Sequence, residues 1–357
     1  MSRIGHPVRW TVVALAALAI VAGAAAIITG GNEANGGTSA RAGAWTSLRS
    51  SPLERTEVGA ARVGRFIYVV GGFTAPDLNT TNQVARYDIR AGSWTPVPPL
   101  PIAVNHPAVA AGAGRCRGDV YVYGGYTATG SLSAEVDALQ RYDPATDSWA
   151  VLPGSGIARG AASLAPIGCS LYATGGAGGG IVHRTVQVYD IRRGSWRSAP
   201  SMRVAREHHA SVAIAGRVLV FGGRDFGRNL DSVEELDSRT GKWRRRPPVP
   251  TPRSGFGAAP VRGWAVVVGG EELSEGGRTI RPVQAFDPRT RRWRTLDGMI
   301  TPRHGLGVAS RGRRVFAGEG GPRPGGTYSA ALEVLRVPRR LFPPTKRGFA
   351  SAGSGSD

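Results

Sequence analysis

Lysine is almost missing from this chain. Of its 45 basic residues only Lys242 and Lys346 are lysine, so a formal charge of +20 rests on arginine spread along the whole length. No basic helix and no aromatic stacking platform accompanies that charge, which argues against a nucleic-acid partner and makes the arginine a compositional habit. Cysteine is scarce as well, with Cys116 and Cys169 the only two. In their place stand 52 glycines and 25 prolines, too many for a helical protein, and an all-β fold is the class that remains.

Long apolar runs are also absent but for one. Trp10 to Ile28 carries no charge, follows Arg3 and Arg9, and gives way to the polar stretch Thr29 to Thr38. At a rise of about 1.5 Å per residue it just covers a bilayer core, so 10–29 is expected to be a transmembrane signal-anchor. Ala24 and Ala26 form an A-x-A pattern, and cleavage there gives the alternative of a secreted protein. Both arginines precede the run, which puts a stub of residues 1–9 in the cytoplasm and the rest outside at the cell membrane. Residues 30–43 then read as a flexible linker.

From Trp45 onward the chain repeats. Glycine pairs stand at 71–72, 124–125, 175–176, 222–223 and 269–270, each after an apolar run such as Phe66-Ile67-Tyr68-Val69-Val70. Each run reads as a buried strand ending in glycine. Downstream come a large apolar residue, Asp and then Trp: Tyr87-Asp88 with Trp94, Tyr142-Asp143 with Trp149, Tyr189-Asp190 with Trp196, Leu236-Asp237 with Trp243, Phe286-Asp287 with Trp293. The constant interval means a fixed turn, in which the Asp carboxylate caps backbone N–H groups and Gly92, Gly194 and Gly241 supply positive φ.

The unit is four strands long, with a period of about 50 residues, and it resembles the Kelch repeat. The resemblance covers 44–337 and implies four-stranded antiparallel blades in a six-bladed β-propeller. The sixth unit has first, second and third strands near Leu306–Ala309, Arg314–Ala317 and Ala331–Val337 but no Asp and no Trp after them. Ala44-Trp45-Thr46-Ser47-Leu48 matches the missing fourth strand, so the N-terminal segment is expected to close the ring and remove an open edge. Residues 338–357 read as a disordered basic tail.

One end of such a ring gathers ionisable residues. Arg55, Arg159, Arg206, Arg253 and Arg303 precede the first strands of five blades, with Glu57, His106, Glu207, His208, His209 and His304 nearby and Asp225, Glu271 and Glu272 after the glycine pairs. Guanidinium groups recognise carboxylates bidentately, so Arg55, Arg159, Arg206, Glu207, His208, Arg253, Arg303 and His304 are the candidate ligand site. The competing reading is structural, with each arginine bonding loop carbonyls of the adjacent blade. His208 and His209, neighbours in a strand, point to opposite faces and do not easily reach one ion, so no metal ligand set and no cofactor are expected.

Two enzyme families share the propeller. Galactose oxidase requires histidine, tyrosine and a tyrosine-linked cysteine around copper, whereas Cys116 and Cys169 lie in strand one-to-two turns at the opposite end from the arginines. Sialic-acid mutarotases resemble this chain in blade number and exported location. That resemblance implies a carboxylate and arginines at work, for which Glu207 beside Arg206 or Glu57 near Arg55 would serve, though no spacing singles out an acid and base pair. No complete catalytic constellation is visible. The chain is therefore expected to be a monomeric binding module that meets a protein partner, or an acidic or carbohydrate ligand, through its loop-rich face. A carbohydrate-active enzyme is the alternative. Equivalent placement and an oxidising compartment predict a Cys116–Cys169 disulfide.

Overall fold

The structure, a computed structural model, describes residues 44–342 apart from Glu275. The expected cytoplasmic stub, signal-anchor and linker (1–43) lie outside these residues. Among the described residues no helix is long and apolar enough to cross a membrane.

Described residues form six four-stranded antiparallel sheets. The first three run Gly59–Val63, Phe66–Val70, Val84–Asp88, Ser93–Val97; Ala108–Ala111, Val120–Tyr123, Leu139–Asp143, Ser148–Leu152; and Ser163–Ile167, Ser170–Thr174, Val186–Asp190, Ser195–Ala199. The next two run Ala210–Ile214, Arg217–Phe221, Val233–Asp237, Trp243–Arg246 and Gly257–Val261, Trp264–Val268, Val283–Asp287, Arg292–Leu296. In the sixth, Gly307–Arg311, Arg314–Gly318 and Leu332–Arg336 are completed by Trp45–Ser47, with Trp45 opposite Leu335 and Ser47 opposite Glu333. First strands pack on one another in the closed order one to six and back to one. The fold is a β-propeller.

The middle of each second strand is apolar because both faces of its sheet are covered, and Ser170, Arg217 and Arg314 stand only at strand starts. Side chains alternate: Tyr68 and Val70 enter the cluster between sheets one and two, and Ile67 and Val69 the cluster between one and six. Equivalent clusters fill the other four gaps. The tryptophans join the sheets in the same way each time. Nε1–H of Trp94, Trp149, Trp196, Trp243 and Trp293 donates to the carbonyl of Arg49, Pro98, Pro153, Pro200 and Pro247, each just past the outer strand of the preceding sheet. Trp45 does the same to Asp297, 2.9 Å away. In the turns the Asp caps as expected: Asp88 Oδ1 accepts from the N–H groups of Arg90 and Ala91, and Asp190 from those of Arg192 and Arg193.

One boundary differs from the sequence reading. The tail does not begin at 338, because Arg339–Leu341 form a 3-10 turn and Phe342 packs edge-on against Trp264, giving the apolar Leu341 and Phe342 a place on the core. Cys116 and Cys169 are bonded, their Cα atoms 5.1 Å apart, between the first turns of sheets two and three.

Candidate functional site

The five arginines are not at the mouth of the ring. Arg55, Arg159, Arg206, Arg253 and Arg303 are each fully buried. In every case Nη1 donates to the carbonyl sixteen residues on, at Gly71, Gly175, Gly222, Gly269 and Glu319. It donates also to the carbonyl that precedes the third strand, at Gln83, Thr185, Ser232, Pro282 and Ala331. Each guanidinium thus fixes the link between strands two and three of its own sheet, which corrects both the ligand-site reading and the expectation that the adjacent blade is bonded. The arginine's own carbonyl serves the preceding sheet instead, as where Gly176 N–H donates to Arg206 O and Gly223 N–H to Arg253 O. Arg55 pairs with Glu319 at 2.7 Å and Arg206 with Glu234 at 2.9 Å. Arg253 has Gln284 rather than a carboxylate for company, and burial pulls it down to about 9.

Two residues beyond each arginine position the chain turns into left-handed backbone. Glu57, His106, Ala161, His208, Gly255 and Gly305 all have φ between 51° and 61°. That conformation aims their amides around the axis: His106 N–H donates to Glu57 O, Ala161 to His106, His208 to Ala161, Gly255 to His208, Gly305 to Gly255, and Val58 closes the circle on Gly305. The necklace separates a channel of about 460 Å³, lined by the first strands, from a cavity of about 260 Å³ on the loop side. Ala161, Gly255 and Gly305 leave half of the necklace without bulk, while Glu57, His106 and His208 furnish the other half.

Six ionisable side chains from five sheets line the cavity, and Glu207 stands behind them. Glu57 Oε2 stands 3.1 Å from His106 Nε2, and Glu57 Oε1 stands 3.0 Å from His304 Nδ1. Glu207 holds both His208 Nδ1 and Arg224 Nε. Arg224 also reaches Glu271 Oε1 at 3.3 Å and His208 Nε2 at 3.2 Å. His106 is clamped edge-on by Phe73 and Tyr126, and Asn105 Oδ1 holds its Nδ1 at 2.7 Å. Phe73, Leu78, Leu132 and Leu273 give the cavity apolar walls.

Burial and neighbouring charge set these groups against one another. Burial raises Glu57, but His106, His304 and Arg224 outweigh it and hold the carboxyl at about 2. Burial pushes His106 down to about 4 against the pull of Glu57. Burial, reinforced by Arg224 and the other imidazoles, puts His208 well below its usual range. His304 goes the other way, up to about 9, because Glu57 and Glu271 overcome its burial. Glu57 and His304 are therefore the charged pair, and His106 joins Glu57 by a hydrogen bond at neutral pH.

Of the candidate residues, His208 and His304 line the cavity, Glu207 supports it through His208 and Arg224, and the five arginines do not reach it. Glu57, His106 and Glu271, placed nearby by sequence, belong to it. Arg224 escaped notice. It directly follows a glycine pair, where other repeats carry Phe73, Tyr126, Ala177 and Glu271, and a positive charge at that position was its only signal. His208 and His209 do diverge, with His209 Nε2 turning away to Thr174 Oγ1 at 2.9 Å. Glu57, His106 and His208, from three sheets, each hold one possible donor atom within 4.8 Å of the other two, a grouping that the sequence reading of His208 and His209 did not consider.

Fold and cavity together define a β-propeller with a loop-side axial pocket. Kelch motif models match residues 54–101, 107–155, 158–203 and 205–250, more than half of the chain, and the chain belongs to the Kelch-repeat family. It is similar to Kelch-like protein terF of Aspergillus terreus, 34% identical over 145 residues, which are 38% of this chain and 31% of that one. Kelch-like protein 35 of Mus musculus is 31% identical over 110 residues, 31% of this chain and 18% of that one. The matches thus span under a third of those relatives' length. Among solved structures, that of YjhT superposes with a TM-score of 0.68 at 17% identity, over 80% of this chain and 96% of that one, a likeness of fold alone.

Proposed function

We propose that this chain is a six-bladed Kelch propeller, closed by its own N-terminal strand and working outside the cytoplasm, that binds a small hydroxyl-rich ligand of the carbohydrate class in its axial pocket. The observation that carries the reading is the convergence of Glu57, His106, His208, Arg224, Glu271 and His304 on one cavity of about 260 Å³, with Glu207 behind them bracing His208 and Arg224. Small-molecule sites are concave and largely apolar with a few convergent polar groups, and this cavity has that make-up. A sugar hydroxyl both donates and accepts, which suits a wall where carboxylates alternate with imidazoles and a guanidinium, while Phe73 and Leu132 offer a surface to the ring's C–H face. With the five repeat arginines buried, the cations left in the pocket are Arg224 and His304, both already facing carboxylates, so a neutral or weakly charged sugar is favoured over a polyanion. The apolar run at 10–28 and the Cys116–Cys169 bond support work in an oxidising compartment.

A mutarotase reading gains one specific support. A charged imidazole at His304 and an ionised carboxylate at Glu57 lie 3.0 Å apart, a donor and an acceptor that could serve ring opening and closure. Titration calorimetry with hexoses, uronic acids and sialic acid tests the binding claim. At least one is expected to bind, and His304→Ala is expected to weaken it tenfold or more while the exposed outer-strand variant Arg244→Gln leaves it unchanged. Absence of binding across the panel, or equal loss in both variants, overturns the assignment. Anomer exchange followed by NMR then separates a binder from a mutarotase.

A further inference from the structure

The ring of histidines and carboxylates contains a donor set that sugar binding alone leaves unexplained. Glu57 Oε2 and His106 Nε2, 3.1 Å apart, stand close to the separation kept by two ligands of one ion, about 3–3.5 Å for bonds of about 2.1 Å. The His106 and His208 rings cross at 4.7 Å between centroids, and one donor atom from each of Glu57, His106 and His208 lies within 4.8 Å of the other two. We propose that these three side chains bind a single divalent transition-metal ion of the zinc type at the floor of the axial pocket, with its remaining positions open to the cavity.

Four features beyond proximity point to an ion. Both imidazoles are oriented as metal-bound histidines are, with Nδ1 tied to an oxygen and Nε2 turned inward: His106 Nδ1 meets Asn105 Oδ1 at 2.7 Å, and His208 Nδ1 meets the Glu207 carboxylate. Two imidazoles with one carboxylate suit zinc, copper, nickel or iron and do not suit magnesium or calcium, which take oxygen donors. The carboxylates Glu57, Glu207 and Glu271 outnumber the two cations beside them, Arg224 and His304. Lastly, Glu271 Oε2 and His304 Nε2 are buried without a hydrogen-bond partner among the described residues, in a pocket where water or a metal-bound ligand would meet them.

Two contacts compete, the first being the His106 Nε2–Glu57 hydrogen bond, whose proton an ion would replace. Arg224 Nη2 lies 3.2 Å from His208 Nε2, on the lone pair an ion would take. An ion displaces both, while Arg224 keeps Glu207 and Glu271. The necklace conformation explains why these three positions and no others supply ligands: the equivalent residues in the remaining sheets are Ala161, Gly255 and Gly305, which carry no donor.

The proposal rests on the same pocket as the ligand reading, and the two fail separately. Metal-stripped protein without an affinity tag is titrated with Zn²⁺ and Co²⁺, and with Mg²⁺ and Ca²⁺ as controls. One equivalent of Zn²⁺ is expected to bind with Kd below about 10 µM, and Co²⁺ to develop visible d–d absorption, with no binding of the controls. Glu57→Gln and His106→Gln should each weaken Zn²⁺ at least tenfold, and His183→Asn, outside the cluster, should not. X-ray absorption of the zinc-loaded wild type, which needs no variant to fold, should show two imidazoles in the first coordination shell. Absent 1:1 binding, equal binding of Mg²⁺, or a shell without imidazole overturns the site. Sugar binding by metal-free protein that also refuses zinc sinks the metal and keeps the ligand reading, and zinc binding without any sugar does the reverse.

Discussion

Arg206 shows how much of a propeller's integrity one side chain can carry. Its guanidinium is spent on Gly222 O, Ser232 O, Ser232 Oγ and Glu234 Oε1, all in its own sheet, and nothing of it faces solvent. Removing one member of a buried ion pair leaves the other uncompensated at about 3–5 kcal/mol. Arg206→Gln is therefore expected to lower the chemical-denaturation free energy by that order, since Glu234 stays buried. A change under about 1 kcal/mol, the value of an exposed pair, would contradict the buried assignment. Sequence spacing placed this residue before each first strand but was silent about its direction. An arginine aimed at the axis and one folded back on its own sheet give the same repeat pattern, and only the carbonyls sixteen residues on decide between them.

At the scale of strands and turns, what repeats was legible and what breaks the repeat was not. Asp88, Trp94 and the glycine pairs act within a few residues of themselves or through a contact made identically in every sheet, so periodicity exposed them. The pocket is built from exceptions. His106 follows Val104 where the other repeats have arginine, Arg224 stands where three other repeats have an apolar or small residue, and Glu57 meets His304 across 247 positions of sequence. No local pattern reports such a meeting. The turn disulfide is an intermediate case, inferred from two equivalent positions. It closes a loop with a sequence separation of 53, worth up to about 4 kcal/mol in the chain-entropy picture. Denatured, unreduced protein should accept no thiol label, and reduction should lower the melting temperature. Two labelled cysteines before reduction would remove the bond from the account.

For the whole molecule the decisive element is the shortest one. Trp45–Ser47 is three residues long, yet it pairs with the third strand of the sixth sheet, and Trp45 is 8% exposed within the cluster between sheets five and six. Its indole reaches Asp297 O as every other repeat tryptophan reaches its preceding sheet. Without it, Leu332–Arg336 becomes an open edge and the cluster around Val315 and Leu335 loses its outer cover. An open edge templates pairing with another chain. Deleting 44–48 removes those strand hydrogen bonds and the burial of one large side chain, roughly 3 kcal/mol for the indole by area. Because first strands pack in a closed circle, the loss does not stay in one sheet: the sixth sheet holds His304 and contacts the first, which holds Glu57. The deletion is expected to lower the melting temperature by several degrees, promote concentration-dependent aggregation, and weaken whatever the axial pocket binds. Trp45→Ala should do the first with less of the second, since backbone pairing survives. A deletion variant that melts and sediments like the parent would mean that the ring holds without its N-terminal strand.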